Sequence, residues 1–358
     1  MNKTAAAEVY IWNLRLSADA KPIPWKPPLA SQVFQGDDCS EYFEKVFESV
    51  QAHLKVDGLI FYFTRDIHRL PSYGDNVVAI VIGDEWSRIP RYFHKVRAVF
   101  KCYGTRSFLG CNLFQPSYLN CLTLLQFIKA KLANFPGWMT YISYRVRTGK
   151  KPLLYDIPLG YSNQIELPIE PINNRDKDVF FAGSIIHRPH SIWSLKYWLE
   201  TPKSLSRKQM FESVKRIQET HPNIQFELSI TPGFSASYES NKGSDARTYS
   251  EKMMSTKICL APRGTSFETF RFFEALRYGC IIITEHLPAW WFYQGAPAIQ
   301  IDRWSDLGNI LETVLSDPDA LEKRHQETLN WWKEKCSESA IGQYIAEKLN
   351  ETSCSVHP

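Results

Sequence analysis

The chain has 358 residues, 44% of them hydrophobic and 22% charged, which is the balance of a globular protein. That length exceeds one ordinary core and predicts two domains of about 150–200 residues each. A formal net charge of +4, from 42 basic and 38 acidic residues, is too small over the whole chain to imply a nucleic-acid or membrane surface.

The first ten residues lack the long apolar stretch of a secretion signal, and no run of 18 apolar residues follows to span a bilayer. The eight cysteines, at 39, 102, 111, 121, 259, 280, 336 and 354, include no CxxC pair. They read as free thiols rather than a zinc site or disulfide framework, and the expected setting is the cytoplasm. A proline-rich loop at 18–38 precedes a helical pattern at Tyr42–Lys55. Apolar runs at Gly58–Phe63, Val77–Gly83 and Ala98–Tyr103 read as buried parallel strands. A helix is predicted at Cys121–Leu132, stopped by Pro136-Gly137. The stretch Asp156–Pro171 is the candidate hinge.

Beyond the hinge, strands are predicted at Asp178–Ala182, Ile224–Ile230, Lys257–Ala261, Cys280–Thr284 and Ala298–Asp302. Helices are predicted at Lys208–Thr220, Phe267–Tyr278, 305–316, 320–335 and 338–349, with Glu251–Met254 ending a polar connector. This alternation predicts two α/β domains, each with a mainly parallel sheet, and a site in the cleft between them. The expected division is 1–170 for an acceptor-side domain and 171–335 for a nucleotide-sugar-binding domain. Residues 336–358 are expected to form a helix and tail packing back on the first.

The most informative segment runs from Cys259 to Thr284 and reads strand, turn, helix, glycine stop, strand. Gly264 is expected to allow a sharp turn, Thr265 or Ser266 to cap the helix, and Thr265 with Glu268 to form a capping box. Gly279 sits where a helix C′ glycine belongs. A helix N-terminus beside Arg263 suits a phosphate or pyrophosphate. Arg271 lies within reach of the same anion, and Glu274 is placed to accept from ribose hydroxyls. The plainer alternative is a structural strand–turn–helix unit with an Arg271–Glu268 surface pair.

Leu260-Ala-Pro-Arg-Gly-Thr-Ser, Arg271-Phe-Phe-Glu-Ala and Gly279-Cys-Ile-Ile, in that order and spacing, resemble the C-terminal signature of exostosin-like glycosyltransferases. Phe181-Ala-Gly-Ser followed by Arg188 resembles that family's opening element. Ile157-Pro-Leu-Gly-Tyr161 and Gly83-Asp-Glu-Trp86 look like elements of the ribitol xylosyltransferase branch. The resemblance covers about 175–345 well and the first 170 residues in patches; Ile282 and Phe270 replace the family's usual proline and serine. It implies a GT-B fold, with two Rossmann-like domains facing across a cleft, and a nucleoside-diphosphate sugar donor. It further implies a glycan or small-molecule acceptor, inversion at the anomeric carbon and no obligatory metal or other cofactor. The donor-binding residues it implies are Arg188, Arg263, Gly264, Thr265, Ser266, Arg271 and Glu274. Neither a nucleic acid nor a membrane span is expected among the partners.

Inversion needs a base for the acceptor hydroxyl. Asp84 and Glu85 follow the apolar run Val77–Ile82 and are the first candidates, with a loop salt bridge to Arg88 or Arg91 as the alternative. Asp66 and His68 come second. His187 and His190 flank Arg188, Trp290-Trp291 are placed to wall a donor pocket, and Asp37-Asp38 reads as a solvated loop. A non-catalytic sugar-nucleotide or glycan binder and another GT-B chemistry, such as an epimerase or phosphorylase, are the competing functions.

Overall fold

Runs such as Ile-Phe-Tyr-Phe-Thr at 60–64 lack polar alternation because helices or loops cover both faces of the strands they form. The computed structural model describes residues 7–12, 21–25, 39–112, 114–162, 165–185, 201–231 and 244–354. Its first sheet contains β1 (Glu8–Trp12), β2 (Ile23–Pro24), β3 (Ile60–Thr64), β4 (Gly74–Val81), β5 (Val96–Lys101) and β6 (Leu154–Asp156). The strand order is β2-β1-β3-β4-β5-β6, parallel except for the short antiparallel edge β2. Helix α1 (Ser40–His53) buries Tyr42, Phe43, Val46, Phe47 and Val50 against one face. Helix α2 (Tyr118–Thr148) lies in the crossover from β5 to β6.

The second sheet holds β7 (Lys177–Ser184), β8 (Phe226–Thr231), β9 (Thr256–Ala261), β10 (Ile281–Thr284) and β11 (Ala298–Gln300), all parallel, in the order β11-β10-β9-β7-β8. Its helices are α3 (Pro202–Thr220), α4 (Ser244–Met254), α5 (Phe270–Arg277), α6 (Leu307–Leu315) and α7 (Pro318–Trp331). A π turn at Trp332–Cys336 then leads into α8 (Glu338–Cys354). This last helix lies on α1: Tyr42 Oη donates to the Cys336 carbonyl at 2.7 Å and Ser49 Oγ to that of Ser339 at 3.1 Å. Two Rossmann-like parallel sheets meet through the loops at their carboxyl edges, as the GT-B expectation requires.

Three expectations are corrected. Helix α2 does not stop before Pro136 but runs 31 residues, capped by Ser117, whose side chain accepts from Asn120 N, and ended by Gly149 at φ 66°. Packing overrides the proline. The buried Asn134 carboxamide accepts from Ile89 N at 2.8 Å and donates to the carbonyls of Ser87 and Thr105, and Gly137 lets the helix approach Ile89 closely. Helix α5 begins at Phe270 rather than Phe267, with Thr269 as an N-cap that makes no side-chain bond. The polar connector ending at Met254 is helix α4.

Candidate functional site

In an open parallel sheet, ligands bind where successive connections leave in opposite directions, because two loops then part at the strand ends and expose a crevice. In the first sheet the strand beyond β1 is the two-residue antiparallel edge β2, so no reversal between parallel strands occurs there. The second has one: the chain goes from β7 outward to β8, then returns to the other side of β7 for β9 and continues to β10 and β11. The crevice therefore opens between the carboxyl ends of β7, at Ala182-Gly183-Ser184, and β9, at Ala261-Pro262-Arg263.

Two arginine side chains meet there, beside the backbone of a third arginine, Arg263. Arg207, on α3, spans the reversal: its Nη1 donates to the Ser184 carbonyl at 2.9 Å and its Nε to the Arg263 carbonyl at 3.4 Å. Arg271, on α5, lies over the Phe181 ring, 4.7 Å from its centroid, and donates to the Ala182 carbonyl. Gly183 makes room for it, since a Cβ there, at φ 149°, would stand 2.6 Å from Arg271 Nη2. Arg263 is buried against the Phe267 ring. The Nε atoms of Arg263 and Arg271 are buried without a hydrogen-bond partner. Burial first, and Arg271 second, push the Arg207 pKa down to about 9; Glu285 and Glu85 oppose the shift. Burial also lowers that of Arg263. Such a depression marks cations held away from water, which a bound anion would stabilise. Glu285, the carboxylate nearest Arg263, accepts from its backbone N at 2.7 Å, and burial raises its pKa.

The 263–268 loop is clasped by the first domain. Arg263 Nη1 donates to Thr123 Oγ1 at 3.1 Å and Nη2 to Gln126 Oε1 at 3.0 Å, while Gln126 Nε2 donates to the Thr265 carbonyl at 2.7 Å. The Glu268 carboxylate is buried and accepts from the backbone N–H groups of Tyr103 and of Leu159, the latter at 2.9 Å. Burial raises its pKa to about 8 against the opposing pull of those two donors and Lys101. The capping box is thus not formed. Glu268 N instead donates to Ser266 Oγ at 3.2 Å, and the carboxylate reaches across to the other domain. Gly264 adopts no positive φ, and a Cβ there would meet only ordinary contacts. Gly279 does end α5, with φ 68°: its N–H bonds to the Leu276 carbonyl and that of Cys280 to Ala275, the paired bonds of a Schellman motif. Glu274 faces inward, accepting from Ser162 N at 3.1 Å and Tyr249 Oη at 2.6 Å.

Across the crevice, Asp84 and Glu85 separate into two roles. The Asp84 carboxylate is buried. It accepts from Arg88 N and Arg88 Nε, both at 2.7 Å, and lies 3.5 Å from the fully buried Lys101 ammonium. Glu85 is exposed and lines a pocket with Arg263, Thr265, Ser266, Phe127 and Trp290. Its free space of about 40 Å³ holds water rather than a sugar nucleotide, so a donor of that size requires the clasp to part. The backbone around it is strained: among the described residues, the non-glycine positions with positive φ are Asp84 (76°), Ser87 (55°) and Tyr103 (60°). Such strain is held at functional sites by the surrounding packing; Ser87 Oγ donates to the Tyr103 carbonyl at 2.7 Å.

Asp66 is turned into its own loop, accepting from His68 N and Arg69 N. Trp290 lines the pocket, whereas Trp291 donates to the Asp156 carbonyl at 2.8 Å and stacks on Tyr344. Arg188, His187, His190 and Asp37-Asp38 lie outside the described residues. Among the described residues, no three His, Cys, Asp or Glu side chains are grouped so as to hold a metal ion. Arg207 was not among the sequence candidates. It belongs to no motif, and only the strand order brings it to Ser184 and Arg263.

No family model matches the chain, and no curated protein matches it. Similar solved structures include the GtfA/B complex, at 12% identity and TM-score 0.43 over 79% of this chain and 58% of the other. A sucrose-phosphate synthase from Thermosynechococcus elongatus aligns at 11% identity and TM-score 0.44 over 88% and 93% of the two chains. AviGT4, a glycosyltransferase involved in avilamycin A biosynthesis, aligns at 11% and 0.38 over 87% and 90%. The chain thus spans less than two thirds of the first of these. Likenesses this distant define neither a family nor an activity.

Proposed function

We propose that the protein is an inverting, exostosin-like glycosyltransferase that moves a sugar from a nucleoside-diphosphate donor to an acceptor hydroxyl. The observation that carries this reading is the meeting of the Arg207 and Arg271 side chains at the strand reversal between β7 and β9, where β9 leads into Arg263, with the Nε atoms of Arg263 and Arg271 buried and unpartnered. Guanidinium groups fixed in a water-poor crevice stabilise negative charge as it develops on a departing diphosphate, which requires no metal ion. Glu85 is the proposed base. It stands across the pocket from Arg263, on a loop fixed by the Asp84–Arg88–Lys101 network. Asp84, enclosed by that network, positions the loop. Thr265 and Ser266 line the same pocket and contribute donor contacts, with Gly264 between them and Arg263. Glu274 is proposed to hold the sugar-nucleotide side of the crevice through Tyr249 and Ser162.

Acceptor-dependent release of nucleoside diphosphate from a panel of nucleotide sugars, with chelator present, tests the proposal. Turnover should appear with one donor class and fall sharply in Arg207→Ala and Arg271→Ala. The absence of turnover and of nucleotide binding across the panel would overturn it.

A further inference from the structure

Helix α2 packs apolar side chains on the protein near its two ends, Leu119 and Leu122 with Leu205, and Tyr141 and Tyr144 on Phe93, yet carries a second apolar face outward. The side turned to the protein carries Thr123, Gln126, Ala130, Asn134 and Gly137, and their polar bonds to Arg263, Thr265, Ile89 and Ser87 fix the helix's rotation. The outward side carries Leu125, Ile128, Leu132, Phe135, Met139 and Val146, between 45% and 79% exposed. The first five fall at steps of three and four residues and Val146 one heptad on, so they form a straight stripe along the helix. With Tyr118 and Trp138, eight large apolar side chains stand about half exposed. That is on the order of 800 Å² of apolar surface, where the largest patch on an ordinary monomer is about 300–600 Å².

Charge selects the occupant. From Trp86 to Tyr155 the sequence contains no Asp or Glu, against twelve Lys and Arg. Six of those cations, Lys129, Lys131, Arg145, Arg147, Lys150 and Lys151, are exposed on α2 or immediately after it. A second copy of the helix would bring like charges together with no acidic residue beside the stripe to pair them. An anionic lipid surface accepts both features, the apolar stripe among acyl chains and the cations among headgroups. No described helix is long and apolar enough to cross a membrane, and Lys129 and Lys131 at mid-helix suit a helix lying in the plane. We propose that α2 seats the protein peripherally on an anionic membrane surface. Thr123, Gln126, Phe127 and Ala130 of the same helix line the pocket, which puts that pocket about one helix diameter, roughly 10 Å, from the lipid.

Flotation of the full chain with phosphatidylcholine vesicles, with and without phosphatidylglycerol, tests this. The protein should float with the anionic vesicles, less so as salt rises. Leu132→Ser/Phe135→Ser and, separately, Lys129→Glu/Lys131→Glu should each lose about tenfold or more in partitioning while keeping the wild-type melting curve. A wild-type chain that stays in the aqueous fraction at low salt overturns the proposal, as does equal partitioning into neutral vesicles or undiminished binding by the apolar variant. A dimer in light scattering that Leu132→Ser/Phe135→Ser dissociates, with no vesicle binding, would assign the stripe to a second copy instead.

Discussion

Gln126 holds Arg263 and its loop by both ends of one carboxamide: its oxygen accepts from Arg263 Nη2 at 3.0 Å and its nitrogen donates to the Thr265 carbonyl at 2.7 Å. The guanidinium assigned to the donor is therefore engaged by the first domain, and donor binding competes with this clasp. Gln126→Ala is expected to lower stability by about 1 kcal/mol for the lost bonds. It should also tighten nucleoside-diphosphate binding by up to about tenfold, because less of the population is held in the closed form. Calorimetry and melting curves on the one variant check both; a weaker affinity would show that Gln126 supports the donor rather than competing with it.

Asp84 and Glu85 should respond oppositely to neutralisation. Asp84→Asn leaves the buried Lys101 without its charge partner, and breaking a buried pair in this way costs about 3–5 kcal/mol of stability. Glu85→Gln should leave the melting curve near wild type and reduce turnover about 10²–10⁴-fold at unchanged donor affinity, as loss of a base does. Steady-state kinetics beside thermal melts separates the two. Turnover within about threefold of wild type in Glu85→Gln would remove it from the chemistry.

Glu268 makes the clasp sensitive to pH. Its pKa rises from the ordinary carboxylate range to about 8, chiefly through burial, so the folded chain binds this proton more tightly than the unfolded one. The stability that follows is fully present below about pH 4.5 and is lost as pH rises through about 8. Glu274, Glu285 and Asp156 are also raised by burial and contribute with the same sign. Glu268→Gln should therefore flatten, not abolish, the fall in melting temperature between pH 5 and pH 8, and the difference between the two curves isolates its share. Parallel curves would mean that Glu268 stays ionised throughout, held by the Tyr103 and Leu159 N–H groups.

The two parallel sheets were legible because their strands are unbroken apolar runs of β-branched and aromatic residues, as at 60–64 and 77–81. Strand β1 was not, since Glu8–Trp12 is short and the partner along its whole length is β3, far along the chain. The Gly279 stop was readable from one residue type at one position, whereas Pro136 misled because Asn134 and Gly137 lock α2 against the Ile89 segment. At the site, Arg263 and Arg271 stood out through the helix signature, but Arg207 depends on strand order, which local pattern does not encode. Glu268 read as a cap because Thr265 lies three residues before it; its partners Tyr103 and Leu159 are more than 100 residues away. The net charge of +4 concealed the acid-free stretch from 86 to 155, because the excess of acid elsewhere cancels it.

The most direct test of the central claim is isothermal calorimetry of nucleoside diphosphates, with chelator present, on wild type, Arg207→Ala and Arg271→Ala. Arg207 and Arg271 at one strand reversal, beside Arg263, predict metal-free binding to wild type. Each variant should lose about 1.5–3 kcal/mol, the worth of one charge-assisted contact, which is about 10- to 150-fold in Kd. Wild-type binding that vanishes with chelator, or variants that bind as tightly as wild type, would contradict the account.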